Sequence, residues 1–172
     1  MELGRCLVTA CKREDMDIIT VVLGADTKKI RTTDSIKLIE YANKNFEVVN
    51  VKEIIVDRFE KWKEEYGSRI NVYKGITNRV DLALSNIKYN KIALSKLEKE
   101  NFEIEINNIF DIEAPIRMNY KLGEMNIKIN QETIDILDII TREEVKRKGV
   151  KDYFYEILGL VYWLLHQSLL LY

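Results

Sequence analysis

Residues 4–25 read GRCLVTACKREDMDIITVVLGA. Two apolar runs, 5–11 and 17–24, flank a charged turn at Lys12-Arg13-Glu14-Asp15, the pattern of a β-hairpin. The second run is almost continuously apolar, which predicts a central strand covered on both faces. A polar loop after Gly24 leads to Thr32-Thr33-Asp34, expected to cap a helix whose apolar positions Ile36, Ile39, Ala42 and Phe46 recur at helical spacing. A two-stranded hairpin with one helix has two open edges and buries little surface. Residues 1–46 therefore read as the last corner of a larger α/β domain.

From Val48 to Lys148 short alternating runs take over: Ile70/Val72, Val80/Leu82/Leu84, Phe102/Ile104/Ile106, Met125/Ile127/Ile129 and Ile134/Ile136. Polar or glycine turns at Tyr66-Gly67-Ser68, Asn107-Asn108 and Leu122-Gly123-Glu124 separate them. Period-two runs at this spacing predict a small antiparallel β-sandwich over 47–148. The stretch RFEKWKEEY (58–66) is left open between a helical turn and an irregular connection. Pro115 is placed at a strand start, where a missing donor is tolerated.

The tail, 149–172, is different again. Lys146, Arg147, Lys148 and Lys151 precede a run rich in Leu, Tyr, Phe and Trp. On a helical wheel Asp152, Glu156, Gly159 and His166 form a narrow polar stripe, and apolar residues fill the rest. A helix from Ile157 to Tyr172 is about 24 Å long, short of a roughly 30 Å hydrocarbon core. The expectation is an amphipathic helix lying on a membrane surface through Phe154, Ile157, Leu158, Trp163 and Leu164, with the basic flank attracted to anionic lipid. A helix docked on protein is the alternative.

Composition narrows the chemistry. The 27 Lys and Arg nearly balance the 28 Asp and Glu, so no field favours nucleic acid. Cys6 and Cys11 are separated by an odd number of strand positions, which points them to opposite faces; two buried free thiols are expected. One histidine, with no CxxC or HExxH, gives no support to a metal site, and no cofactor is implied. The first five residues lack the apolar segment of a signal peptide.

The order of these parts resembles the C-terminal portion of the D-alanyl-D-alanine carboxypeptidases, the low-molecular-weight penicillin-binding proteins. Gly4–Ala25 is similar to the strand, basic turn and strand that follow the KTG motif of that family. Residues 31–41 resemble the helix closing its penicillin-binding domain. The runs Ala114-Pro115-Ile116, Leu122-Gly123, Ile127 and 134–145 resemble its small C-terminal β-domain, and the tail resembles its membrane-surface anchor. The resemblance implies an α+β chain: a hairpin-plus-helix remnant of a transpeptidase/β-lactamase-like domain, a small antiparallel β-sandwich and a C-terminal amphipathic helix. It implies a parent serine enzyme that trims peptidoglycan stem peptides outside the bacterial cytoplasmic membrane. The family's SxxK, SxN and KTG motifs lie upstream of the position matched by Gly4, so no catalytic residue carries over.

Ser85-Asn86-Ile87-Lys88 also spells SxxK, but it follows an alternating run and precedes Tyr89-Asn90, a strand-and-turn context rather than the helix that chemistry needs. His166 beside Ser168 has no acid to complete a triad. Glu64/Glu65 and Glu143/Glu144 read as solvated pairs, and Tyr89, Tyr120 and Trp62 as packed or half-buried aromatics. The alternative function is a non-enzymatic, membrane-associated β-domain acting as adaptor or spacer.

Overall fold

The computed structural model describes residues 4–107 and 111–169. In chain order the elements are β1 (Arg5–Arg13), β2 (Met16–Ala25), α1 (Lys28–Asn45), β3 (Phe46–Val49), α2 (Val51–Tyr66), β4 (Asn71–Tyr73), β5 (Leu82–Leu84) and β6 (Ile92–Ser95). There follow α3 (Lys96–Glu100), β7 (Phe102–Asn107), β8 (Asp111–Glu113), β9 (Lys121–Ile129), β10 (Glu132–Thr141) and α4 (Val150–Leu169). They form two compact units, one of Met1–Val56, Ile87–Ile104 and Ile127–Asp135, the other of Asp57–Asn86, Glu105–Asn126 and Ile136–Tyr172.

In the first unit β1 and β2 pair antiparallel, with Thr9 opposite Thr20 and a tight turn at Glu14 and Asp15, both at positive φ. Helix α1 packs on one face. There the Ser35 hydroxyl lies 2.8 Å from both the Thr9 and Thr20 hydroxyls, a chain of hydrogen bonds joining helix to hairpin. Met16, Ile18 and Thr20 are buried, but Ile19 and Leu23 are each 72% exposed and Val8 66%. The expectation of cover on both faces is corrected: alternation along β2 gives one face to α1, and no described part of the chain covers the other.

The helix starts earlier than its capping sequence suggested. Thr27, not Thr32-Thr33-Asp34, caps α1, its hydroxyl accepting from the Ile30 amide at 3.1 Å. Ser35 rather than Ile36 faces inward, and Ile36 is exposed. The cysteines are free as expected but not buried: Cys6 is exposed and Cys11 partly so. A register shift between Arg5 and Leu7 accompanies the approach of Gly4 to Gly24, where a Cβ on Gly4 would lie 2.4 Å from the Gly24 Cα. Also in this unit, β3 pairs antiparallel with β6, and α3 begins with a reciprocal capping box between Ser95 and Glu98.

Helix α2 settles the open stretch 58–66 and puts helix in place of sheet at the start of the span 47–148 expected to be a β-sandwich. Its inner stripe is Val51, Ile55, Phe59 and Trp62, all buried. Those positions are i, i+4, i+8 and i+11, one face of a helix. Asn50 opens it, its side-chain oxygen accepting from the Glu53 amide while its amide group donates to the Glu53 carboxylate.

The four-stranded sheet has the order β5-β10-β9-β7. Its buried positions in the second unit are Leu82, Leu122, Met125, Leu137, Ile139 and Thr141. The strand runs expected from alternation are present, with corrections to their turns and pairing. Leu122-Gly123-Glu124 is not a turn but lies within β9, because a Cβ on Gly123 would stand 2.6 Å from the Asn107 carbonyl; the glycine admits a close neighbouring backbone. The turn is instead at Asn130 and Gln131, both at positive φ. On β10 the odd positions Leu137, Ile139 and Thr141 point inward, so Ile136 is exposed. A short pair, β4 with β8, is parallel, which departs from an all-antiparallel sandwich. Pro115 follows β8 and a cis Ala114–Pro115 bond, rather than opening a strand. Asn108 of the expected Asn107-Asn108 turn lies outside the described residues. The chain is thus a mixed helix-and-sheet fold containing an antiparallel sheet.

Candidate functional site

The route into the last helix is held by backbone hydrogen bonds. Ile116 and Val145 exchange both at 2.9 Å, the Ile76 amide donates to the Lys146 carbonyl at 2.9 Å, and the Lys148 amide donates to the Lys74 carbonyl at 2.8 Å. A Cβ on Gly75, which bridges Arg147, would come within 2.6 Å of the Thr77 carbonyl, so glycine is needed for this strap to close. One residue later the Gly149 amide donates to the Asp152 carboxylate at 2.7 Å and α4 begins. A strap pinned as far as Lys148 leaves no free linker before the helix.

Every residue from 150 to 167 is exposed. At 3.6 residues per turn, the apolar side chains Leu160, Tyr153, Leu164, Ile157, Val150, Val161, Phe154, Leu165, Leu158, Tyr162 and Tyr155 sweep an arc of about 220°, interrupted by one charge, Lys151, between Leu158 and Tyr162 near its edge. Asp152, Glu156, Gly159 and His166 occupy the opposite stripe, as the wheel predicted. Trp163 stands between them at the same spacing (152, 156, 159, 163), so it belongs to the polar stripe and not with Phe154, Ile157, Leu158 and Leu164. No helix among the described residues is long and apolar enough to cross a membrane.

The basic collar is less basic than its sequence suggests. Lys148 reaches back over the first turns to Glu156 at 2.8 Å and lies 5.7 Å from the Tyr153 ring; the Glu156 carboxylate raises the lysine's pKa. Arg147 faces Glu113 at 3.5 Å, and Lys146 faces Glu144 at 3.6 Å. Glu113 is shared with Lys74 at 2.8 Å, and the Lys74 hydrogen bond, with Arg147 adding, holds its carboxyl below the usual range. Lys151 is exposed on the helix.

The other sequence candidates are placed as follows. Ser85 follows β5 in non-helical backbone; its amide donates to the Asp138 carbonyl at 2.8 Å and its hydroxyl accepts from the Asp138 amide at 2.9 Å. That hydroxyl is a strand connector, and Lys88 is directed to the Tyr89 ring, 5.1 Å away. Glu64 and Glu65 are exposed; Glu143 accepts from the Asp81 amide. His166 meets Tyr162 at a ring separation of 6.2 Å, and the side chain of Ser168 lies outside the described residues. Trp62 is core, stacked on Phe59 at 5.8 Å, whereas Tyr89, in the connection between β5 and β6, and Tyr120, just before β9, are exposed, contrary to expectation. A concavity of about 620 Å³ lies beside Asn107, Tyr120, Leu122 and Gly123; its lysine, Lys121, is held at 2.6 Å by both Glu124 and Asp138. The alternating pattern along β9 did not signal it. Among the described residues no group of His, Cys, Asp and Glu is arranged to hold a metal ion.

A small β-domain continued by an exposed amphipathic helix is the class of protein these features define. Residues 61–147 match the family model of the penicillin-binding protein 5 C-terminal domain, and the chain belongs to that family. It is 23% identical over 159 residues to the D-alanyl-D-alanine carboxypeptidase DacF of Bacillus subtilis, covering 90% of this chain and 37% of the relative. It is 26% identical over 149 residues to DacC of Escherichia coli, covering 85% and 34%. Among solved structures it is similar to the carboxypeptidase DacD of Francisella tularensis, with a TM-score of 0.49 and 19% identity over 85% of this chain and 34% of that one. Penicillin-binding protein 5 of Haemophilus influenzae gives a TM-score of 0.47 at 20% identity, over 83% and 39%. The chain spans about a third of the length of the curated relatives it matches.

Proposed function

We propose that this chain is the scaffold and membrane-surface anchor of a serine-type D-Ala-D-Ala carboxypeptidase that trims peptidoglycan stem peptides at the outer face of the bacterial cytoplasmic membrane. On this reading residues 1–46 end the penicillin-binding domain, 47–148 form the C-terminal β-domain, and 149–172 rest on the membrane. The observation that carries it is the uncovered apolar arc of α4, which directly follows the strap closing the matched domain. An arc of that width, exposed in water, requires a large apolar partner, and the interfacial zone of a bilayer supplies one. Peptidoglycan is met through the enzyme as a whole; nucleic acid is no partner.

Two experiments test the reading. The chain cut after Lys148 is expected to remain folded and to lose co-sedimentation with lipid vesicles that the full chain shows; equal binding by both makes α4 a protein-docking helix. The second concerns chemistry. With Ser85 committed to Asp138, the purified chain is expected to take no covalent label from a fluorescent penicillin. Labelling that disappears in Ser85→Ala would reverse this assignment.

A further inference from the structure

We infer that α4 docks on lipid by apolar contact alone and does not distinguish anionic from zwitterionic surfaces. The inference rests on the membrane reading above and adds the class of lipid surface. Long-range attraction to a charged bilayer depends on the net charge carried within about one Debye length, roughly 10 Å at moderate salt. From residue 143 to 156 the chain carries Lys146, Arg147, Lys148 and Lys151 against Glu143, Glu144, Asp152 and Glu156, four charges of each sign. The neighbouring Lys74–Glu113 pair leaves the balance at zero. The geometry agrees with the count, since three of the four basic side chains stand 2.8 to 3.6 Å from a carboxylate.

Exposed pairs of this kind are weak and contribute little stability. Their effect here is on the field: Glu113, Glu144 and Glu156 each stand beside a cation, and with Lys151, Glu143 and Asp152 counted an anionic surface meets a collar of no net charge. The arc is a different matter, because burial of apolar area is independent of headgroup charge. The acids on the polar stripe, Asp152 and Glu156, further oppose approach of that stripe to anionic headgroups. Binding energy thus resides in the arc, and its orientation is set by the pinned strap.

The test is partitioning of the full chain into vesicles of pure phosphatidylcholine and of phosphatidylcholine with about one third phosphatidylglycerol, each at about 0.02 M and about 0.5 M salt. The expected partition coefficients agree within about threefold across all four conditions. The triple variant E113Q/E144Q/E156Q exposes three cations; at about fivefold per charge its binding to the anionic vesicles at low salt is expected to rise at least tenfold, with no gain on phosphatidylcholine. A parent that prefers anionic vesicles tenfold, and loses the preference in high salt, overturns the inference while leaving the anchor intact. A parent that binds neither vesicle overturns the anchor reading and this inference together. A triple variant with no gain on anionic lipid shows that these acids do not set the collar's charge, and overturns it as well.

Discussion

Phe59→Ala is expected to destabilise the chain by about 3–5 kcal/mol, the range for removing a buried aromatic ring. Phe59 is 3% exposed, lies at the middle of the inner stripe of α2 and stacks on Trp62 at 5.8 Å. Deleting it removes a buried ring from the stripe and the stacking partner of the tryptophan, in an interior too tightly packed to close the gap. A loss of that size is a large fraction of the stability of an ordinary domain, about 5–15 kcal/mol. Urea unfolding followed by Trp62 fluorescence, in a Trp163→Phe background so that a single indole reports, measures it. Arg58→Ala, one residue earlier and exposed, is expected to change stability by less than about 0.5 kcal/mol. Equal effects at the two positions would mean that α2 does not pack through this face.

That helix also marks where the sequence was readable and where it was not. The hairpin was plain because two apolar runs, 5–11 and 17–24, flank a charged turn, a signal that lies wholly within one local stretch. The stripe 51, 55, 59, 62 was equally present, but Ile54 and Val56 sit beside it and are exposed, so over a short window the apolar positions do not mark one face. Counting the spacing over the full sixteen residues recovers the helix. The start of α1 was misplaced for a related reason. Three polar residues in a row outweighed the single Thr27, yet Thr32 inside the helix spends its hydroxyl on the Lys28 carbonyl.

The charges show a harder limit. Lys146-Arg147-Lys148 reads as a basic patch in sequence, whereas its partner Glu113 comes from a strand more than thirty residues away. Pairing through space decides the field, and one-dimensional order does not contain it. Local order did hold Asp152 and Glu156, both within two turns, and these already halve the apparent excess. The exposed face of β2 is likewise a matter of tertiary cover: the apolar run of residues 17–24 was visible, but α1 covers only one of its faces.

The second large effect separates the two sides of α4. Val161→Asp is expected to weaken vesicle binding by about 2 kcal/mol or more, on the order of thirtyfold, because a carboxylate would enter near the centre of the apolar arc. Trp163→Asp is expected to change binding by less than about threefold. It places the same charge on the stripe already occupied by Asp152 and Glu156, where the helix faces water. Both variants put aspartate in the interior of the same helix, so intrinsic helix propensity is nearly matched and circular dichroism checks that both remain helical. Co-sedimentation with zwitterionic vesicles then reads the orientation of the helix directly. If Trp163→Asp abolishes binding while Val161→Asp leaves it intact, the docked face is the one carrying Asp152, Glu156 and His166. Lys148, which holds Glu156 at 2.8 Å, would then have to release it before the helix could dock. Equal loss in both would mean a helix immersed on all sides, which the acids at 152 and 156 oppose.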